Sequence, residues 1–375
     1  MPKRRQIRIL QSMDTFPRCD GRYHPKRAVC RACYAARRCA LETTAGDDAA
    51  PAPPLVRDPV AGRLRCEGFH LAYTLASGQV FRWGRDTDGW WKGIAWGTAF
   101  HLRQKGDRVL FRASAGEVRA RNGPTPVAEF LRWYLRLDEA PEIRIRRSDR
   151  YLRQARDRLA GFRFVRQAPF ECTMSYILSV QAHMTLTKRR INFLAHTLGR
   201  EIRFLGERYW TFPEPCVLAD LNGRYFRHHR FGWRSERVAT SARTIADALW
   251  VRSGGDATQV AMETWREIVD GLRGLSGSGV GLKVGKCIDL FALEQLGAVP
   301  VDTWVRQLAE AWYGVTGSDT KICAWAEKRW GPCAGYANEY LFAYYRELNG
   351  PSIYDRVISF CGSDLPSPEL PFEAI

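Results

Sequence analysis

A glycine-rich turn, a lysine and an aspartate stand close together in the last third of the chain, and their side chains could support chemistry. Lys283 directly follows the turn at residues 277–281, so its amine would lie beside a firmly held backbone. Asp302 follows Pro300, which breaks the preceding helix, and stands where the N-cap of the next helix belongs. A carboxylate near a lysine can also tune the protonation of the amine and face a cationic transition state. These two roles of Asp302 are compatible.

The glycines of the turn predict a contact with a phosphate group. Gly279 and Gly281 have no side chains, so the backbone can form a tight hairpin and turn its N–H groups outward. At the start of the helix that follows, such N–H groups form a site for a phosphate oxygen. A plain connector between two helices is the alternative explanation of the same residues.

The spacing of apolar residues indicates two kinds of secondary structure. Residues 59–115 contain short aromatic and apolar runs, among them residues 69–83, and a turn at residues 105–107, so we predict an antiparallel sheet. After about residue 125 the spacing becomes helical, and residues 263–272 predict a helix before the glycine-rich turn. The other helical faces are Phe170, Met174, Ile177 and Gln181; Val284, Cys287, Ile288 and Phe291; and Val305, Leu308, Ala309 and Trp312.

Composition and charge favour a partner that is a polyanion. The chain has 375 residues, of which 45% are hydrophobic, so it can form a packed core and global disorder is excluded. Its formal net charge is +17, and the phosphates of nucleic acids attract such an excess of cations. A protein kept basic only for solubility is the weaker alternative. No apolar run reaches transmembrane length, so we expect a cytoplasmic protein without a membrane partner.

Four cysteines crowd the beginning of the chain with the spacing C-x10-C-x2-C-x5-C. These are Cys19, Cys30, Cys33 and Cys39, and four thiolates suit either a [4Fe–4S] cluster or tetrahedral zinc. His24 offers a competing zinc set with the first three. We favour the iron–sulfur cluster because it uses all four cysteines. The surrounding segment has 11 basic and 3 acidic side chains, so it could add an electrostatic contact with DNA, although a purely structural role is the alternative.

Several motifs in the same order resemble the helix–hairpin–helix DNA glycosylases, specifically the 8-oxoguanine DNA glycosylase/AP lyase branch. The turn, Lys283 and Asp302 form one of these motifs. The others are residues 75–83 with Trp91-Lys92-Gly93, residues 166–172, and residues 331–342. The resemblance covers most of residues 64–348 and implies that the partner is double-stranded DNA with a damaged base, bound by a monomer.

The resemblance implies a role for each matched residue. Such enzymes flip a base out of the duplex into a pocket, where Lys283 would attack the sugar C1′, form a Schiff base and permit β-elimination. Asp302 would stabilise the oxocarbenium-like sugar and help to prepare the amine. The residues that match the base pocket are Gly78, Cys287, Asn338 and Phe342. The residues that match DNA contacts are Gly279, Gly281, Gln181, Trp233 and Arg234.

Each pocket residue has an implied contact. The carbonyl of Gly78 would accept the N7–H that distinguishes 8-oxoguanine from guanine, while Cys287 and Phe342 would sandwich the base. Asn338 falls where the family places a glutamine on the Watson–Crick edge, and it is one methylene shorter. Among the DNA contacts, Trp233 would be an aromatic wedge beside the opposite base, and Gln181 would fill the vacated stack.

Two further positions depart from the family pattern. Trp304 stands where a histidine is usual, and Leu186 stands where an arginine reads the opposite cytosine. Asn338 and Leu186 keep open the same chemistry on another lesion. A further alternative is a non-catalytic, metal-dependent DNA-binding protein that acts as a sensor; loss of Lys283 or Asp302 would favour it, but both residues are present.

We therefore predict an α+β protein. An N-terminal antiparallel β domain, TBP-like by the resemblance, would pack on an all-α helix–hairpin–helix glycosylase domain, and a small Cys-rich metal module would precede both. The predicted boundaries are 1–44 for the metal module, 45–58 for a linker, 59–124 for the β domain, 125–363 for the helical domain and 364–375 for a tail.

Overall fold

The computed structural model describes Leu55 and residues 58–120, 123–139, 142–255 and 257–349. The described residues fall into two compact units. The smaller unit is Glu214–Gly281, and the larger unit contains the described residues before and after it. The predicted metal module, nearly all of the linker, and the tail lie outside the described residues.

A five-stranded antiparallel sheet opens the larger unit, as the sequence predicts. Its strands are β1 (Val60–Arg65), β2 (Trp83–Arg85), β3 (Trp91–Ala95), β4 (Thr98–Lys105) and β5 (Arg108–Ala113). Their order across the sheet is β1-β5-β4-β3-β2. The predicted turn joins β4 to β5, and Gly106 takes up a φ of 57° that favours glycine.

One face of this sheet is apolar and packs on a helix. The helix is α2 (Val127–Tyr134), and the rings of Phe130 on α2 and Phe100 on β4 stack with centroids 5.8 Å apart. The indole N–H of Trp83 donates a hydrogen bond to the hydroxyl of Tyr134 at 3.0 Å. Burial of each such large side chain stabilises the fold by about 1.5–3 kcal/mol, so this contact fixes the sheet against the helices that follow.

A helix occupies part of a segment that the sequence led us to expect as strand. It is α1 (Leu71–Ala76), and the ring of His70 accepts a hydrogen bond from the N–H of Tyr73 at 3.2 Å as its N-cap. Leu71, Thr74 and Leu75 are buried, which is helical spacing. The prediction was wrong here because apolar residues in a short run fit either structure.

The rest of the larger unit is mainly helical, as predicted. Its helices are α3 (Arg150–Arg158), α4 (Pro169–Ser179), α5 (Met184–Leu198), α10 (Leu282–Ala292), α11 (Thr303–Tyr313), α12 (Asp319–Trp330) and α13 (Ala334–Leu348). Two hairpins complete the unit: β6 (Glu117–Ala120) with β7 (Gly123–Pro126) precedes α2, and β8 (Glu201–Phe204) with β9 (Glu207–Trp210) follows α5. The second hairpin was not predicted, because its two-residue loop begins with Leu205, which holds a φ of 51°.

The smaller unit is a group of helices. They are α6 (Pro215–Ala219), α7 (Gly223–His228), α8 (Ser235–Ser253) and α9 (Met262–Gly274). The last of these confirms the helix predicted at residues 263–272. In the part of the chain that the structure describes, no helix combines the length and the apolar composition needed to cross a membrane.

Candidate active site

Lys283 and Cys287 lie on one face of α10, since residues four apart on a helix are neighbours. Lys283 belongs to the first turn of this helix and is half-buried, whereas Cys287 is buried. Burial raises the pKa of the Cys287 thiol to about 12, and the positive charge of Lys283 opposes this shift. The thiol is therefore protonated and gives the amine an apolar neighbour.

Asp302 caps α11 and also acts on this thiol. Its Oδ1 accepts a hydrogen bond from the backbone N–H of Val305 at 2.9 Å, which confirms the predicted N-cap. The negative charge of Asp302 contributes to the raised pKa of Cys287, so the carboxylate and the thiol are close. Capping occupies one carboxylate oxygen and leaves the other available for a second task.

A second carboxyl group, that of Glu339, belongs to the same cluster. Glu339 lies on α13 and is 6% exposed. Burial and then the negative charge of Asp302 raise its pKa to about 8, while Arg346 acts in the opposite direction. A carboxyl group with such a pKa is mostly protonated at neutral pH, so Glu339 offers an O–H donor instead of a second negative charge.

Gly78 is held in place by the buried side chain of Gln79. Gly78 adopts a φ of 98°, which other residues rarely adopt. The Nε2 of Gln79 donates to the carbonyls of Thr74 at 2.8 Å and Arg163 at 3.0 Å. Its Oε1 accepts the N–H of Val165 at 2.8 Å. The backbone at Gly78 is therefore positioned before any ligand binds.

Tyr176 connects this backbone to α10. Its hydroxyl donates to the carbonyl of Gln79 at 3.2 Å, and its ring stacks on Phe291 of α10 with centroids 5.5 Å apart. Burial is the main cause that raises the pKa of Tyr176, and the groups of Cys287 and Glu339 add to it. The segment next to Gly78, α10 and α13 thus converge.

Asn338 and Phe342 share one face of α13, again at a spacing of four residues. Asn338 is buried and Phe342 is half-buried. The guanidinium of Arg346 lies 5.2 Å from the ring centroid of Phe342 and 5.9 Å from that of Trp304 on α11. Arg346 therefore links α13 to α11 at the position where the family pattern has a histidine.

The structure corrects the helical face that ended in Gln181. Helix α4 ends at Ser179, and Gln181 is exposed in a turn with a φ of 49°. Helix α5 begins at Met184, whose methyl group would lie 3.4 Å from a Cβ placed on Gly78. The side chain of Met184, three residues after Gln181, therefore reaches the backbone of Gly78.

In the smaller unit, a buried serine shapes the glycine-rich turn. Gly279 has a φ of 79°, as the predicted hairpin requires, but Gly281 does not adopt a positive φ. The hydroxyl of Ser278 donates to the carbonyl of Leu272 at 2.6 Å and accepts the N–H of Val280 at 3.1 Å. Sequence reasoning missed Ser278, and its place between two glycines was the available signal.

Trp233, the aromatic residue that the sequence predicts as a wedge, lies in the smaller unit and is exposed. Its side chain is 46% exposed. The guanidinium groups of Arg234 and Arg237 lie 4.2 Å and 4.3 Å from its ring centroid. Arg234 is itself buried, so it supports the indole from the protein side, while about half of the Trp233 side chain remains exposed.

The described residues hold no group of three or more His, Cys, Asp or Glu side chains that could bind a metal ion. The predicted ligands Cys19, Cys30, Cys33 and Cys39, with the alternative His24, lie outside the described residues. The iron–sulfur or zinc site therefore stays a prediction.

A comparison with known families matches the part of the chain that holds Gly78 and Gln79. The family model of the 8-oxoguanine DNA glycosylase N-terminal domain matches residues 63–173, which run from the sheet into α4. The matched residues therefore form an N-terminal domain of the 8-oxoguanine DNA glycosylase type. This confirms the resemblance read from the motifs, and the sheet followed by helices confirms the α+β fold.

The relatives of this chain carry consistent names. A probable N-glycosylase/DNA lyase of Methanothermobacter thermautotrophicus is 28% identical over 221 residues, 53% of this chain and 68% of the relative. The N-glycosylase/DNA lyase OGG1 of Arabidopsis thaliana is 27% identical over 242 residues, 64% of this chain and 65% of the relative. The chain therefore spans about two thirds of the length of each relative.

The fold also matches a solved structure. This is the Clostridium acetobutylicum 8-oxoguanine glycosylase/lyase in complex with double-stranded DNA containing cytosine opposite 8-oxoguanine. The TM-score is 0.62 at 23% identity, and the match covers 79% of this chain and 100% of that one. At this identity the match establishes the fold.

Proposed function

We propose that this chain is a DNA glycosylase with AP lyase activity that excises 8-oxoguanine from duplex DNA in base excision repair. One observation carries the proposal: the charges of Lys283 and Asp302 both act on the buried thiol of Cys287, and Lys283 shares a helix face with it. The amine of Lys283, the carboxylate of Asp302 and the buried side chain of Cys287 therefore lie close to one another. These are the groups that displacement of a base from a sugar requires.

The chemistry centres on Lys283. Its Nζ attacks C1′ as the bond to the base breaks, and the departing base takes the electron pair and a proton. After the sugar ring opens, the amine holds C1′ as a Schiff base. Loss of a proton from C2′ then expels the 3′ phosphate, and water later releases the amine. Asp302 faces the positive charge on the sugar with the carboxylate oxygen that capping leaves available.

The flipped base would be read by the groups around Cys287. We propose that the carbonyl of Gly78 accepts the N7–H of 8-oxoguanine, and that Cys287 and Phe342 sandwich the ring. Asn338 would contact the Watson–Crick edge. The rigid hydrogen bonding of Gln79 supports this proposal, because a carbonyl fixed in advance discriminates better than a mobile one.

The duplex contacts are proposed for exposed positions. In the smaller unit, Gly279 and Gly281 would offer backbone N–H groups to a phosphate, and Trp233, backed by Arg234, would wedge beside the opposite base. In the larger unit, the exposure of Gln181 in a turn supports it as the group that fills the vacated stack.

A metal module and a monomeric state complete the proposal. The spacing of the N-terminal cysteines supports a [4Fe–4S] cluster, with zinc as the alternative, and neither is needed for the chemistry. A monomer suffices because one chain supplies Lys283, Asp302 and the pocket walls. We also propose that the enzyme works in the cytoplasm, associated with the nucleoid if its source is a prokaryote.

Strand cleavage of lesion-containing duplexes tests the proposal. A duplex with 8-oxoguanine opposite cytosine should be cleaved, and borohydride should trap a covalent complex. Lys283→Gln should abolish both while lesion binding remains. Other oxidised purines and each opposite base should be included, because Asn338 and Leu186 depart from the family pattern.

Lys286→Gln is the matched control. Lys286 lies on the same helix one turn further, but its Nζ pairs with Oε1 of Glu327 at 2.5 Å. The control should retain trapping and cleavage. A complex that is trapped with Lys283→Gln but not with Lys286→Gln would move the nucleophile to Lys286. A wild-type protein that binds every lesion and cleaves none would be a non-catalytic sensor.

A further inference from the structure

The outer face of the five-stranded sheet is densely basic. Along β1, β4 and β5 the side chains alternate, and the inward ones, such as Leu64, Leu102 and Val109, are buried. The register places six cationic side chains on the opposite face: Arg63 and Arg65 on β1, Arg103 and Lys105 on β4, and Arg108 and Arg112 on β5. We call these six residues, with Trp90, the basic sheet face.

Most of these charges have no acidic partner among the described residues. Arg65 pairs with Glu67, and Arg108 lies 3.9 Å from Asp107, which is a long contact. No carboxylate of the described chain lies within ion-pair distance of the other four cations. Cross-strand neighbours of like charge destabilise a sheet, as at the Arg65–Arg108 pair. The fold thus maintains an unfavourable arrangement that an anion would relieve.

The covered half of the same face gives a direct contrast. The hairpin of β8 and β9 packs there, where His101 contacts the hydroxyl of Tyr209 at 2.7 Å. The cation on that half, Lys92, pairs with Glu207 at 2.5 Å and with Asp86 at 3.4 Å. Where described residues cover this face the cation is paired, whereas on the rest of the face four of the six cations have no acidic partner among the described residues.

Trp90 holds two of the guanidinium groups in place. Its ring centroid lies 4.6 Å from the guanidinium of Arg112 and 5.9 Å from that of Arg103. Stacking on an aromatic ring restrains an arginine while its N–H groups remain available for phosphate oxygens. Arginines restrained in this way lose less side-chain freedom when they bind a phosphate.

We propose that the basic sheet face binds the phosphate backbone of duplex DNA as a second contact, separate from the lesion pocket. The apolar side of the same sheet packs on α2, so the basic sheet face points away from that helix. Arg108 to Arg112 spans roughly 14 Å along β5. One DNA strand presents about four phosphates over such a length, which the six cations can match. The choice of DNA as partner rests on the proposed function.

The test combines Arg63→Gln, Arg103→Gln and Arg112→Gln in the full chain. The control combines Arg132→Gln, Arg153→Gln and Arg156→Gln, which removes the same net charge from surface helices. Affinity for an undamaged duplex is measured from 50 to 200 mM salt. Loss of three phosphate contacts should lower the slope of log affinity against log salt by about 2 to 3. The control should keep the wild-type slope, and Lys in place of Gln at the three test positions should largely restore it.

A second measurement separates this proposal from the proposed function. With enzyme in excess, excision of 8-oxoguanine from a short duplex should have the same rate in the test variant and the wild type. Wild-type protein without excision would contradict the proposed function alone. A test variant with the control's salt slope would overturn the basic sheet face. So would tighter binding by the test variant, since it would indicate that an acidic segment such as residues 364–375 occupies this face.

Discussion

Replacement of Asp302 separates a structural role from a chemical one. Asp302→Asn keeps a side-chain oxygen that can accept the N–H of Val305, whereas Asp302→Ala removes it. Asparagine and aspartate are about equally good N-caps, and loss of the cap costs about 1 kcal/mol. We therefore expect the free energy of unfolding to change by a few tenths of a kcal/mol for Asn and by about 1 kcal/mol for Ala.

The loss of catalysis should be larger than the loss of stability, and it should be similar in the two variants although their stabilities differ. Both variants remove the charge that faces the cationic sugar, and loss of one such electrostatic group costs about 3–4 kcal/mol of the barrier. That corresponds to a rate lower by roughly 10²- to 10³-fold. Asp302 also contributes to the raised pKa of Glu339, so in Asp302→Asn the pKa of Glu339 should fall.

Single-turnover excision of 8-oxoguanine, measured as released base, and urea unfolding provide the two readouts. The expected pattern is a near-normal unfolding free energy with slow excision for Asp302→Asn, and slow excision with lower stability for Asp302→Ala. Near-normal excision by the Asn variant would refute the reasoning and reduce Asp302 to a cap.

Two further predictions concern Glu339 and the cysteines. Because the pKa of Glu339 rises from its usual 4.5 to about 8 in the folded protein, the folded state binds more protons between these values. The free energy of unfolding should therefore fall as pH rises from 5 to 8, by on the order of 1 kcal/mol per pH unit. Glu339→Gln should remove this slope in urea unfolding, whereas the exposed Glu310→Gln should keep it; a slope unchanged by Glu339→Gln would contradict the assignment. Protein purified without oxygen should be brown if it holds iron and sulfur, and colourless with about one zinc per chain otherwise. Cys33→Ser should empty the site in either case and Cys39→Ser only the iron–sulfur one, and protein without metal under any preparation would end the cluster hypothesis.

The sequence correctly predicted the helices and the cap that depend on residues close to one another in the chain. The helices α9, α10 and α11 follow from apolar spacing, and the N-cap at Asp302 follows from its place after Pro300. The expected strand at residues 71–76 was wrong, because the helix there depends on a histidine cap that is rare. Gln181 was misplaced for a related reason, since apolar spacing does not show that a helix has already ended at Ser179.

The site was predictable only in part, because its remaining members act through long-range contacts. The hydrogen bonds of Gln79 reach Arg163 and Val165, more than eighty residues away. Glu339 gains its raised pKa from burial and from Asp302, and neither is visible in the spacing of residues. A glutamate inside a helix that is apolar on nearly every side was the one local signal.

The buried thiols have a consequence for the conditions under which this enzyme would work. Oxidants such as hydrogen peroxide react with thiolates, and a thiol with a pKa of about 12 is ionised in roughly one molecule in 10⁴ to 10⁵ at neutral pH. Cys172, also buried, has its pKa raised well above the ordinary value by the same burial. The sulfur at the centre of the proposed pocket should therefore react with peroxide far more slowly than the thiol of an exposed cysteine.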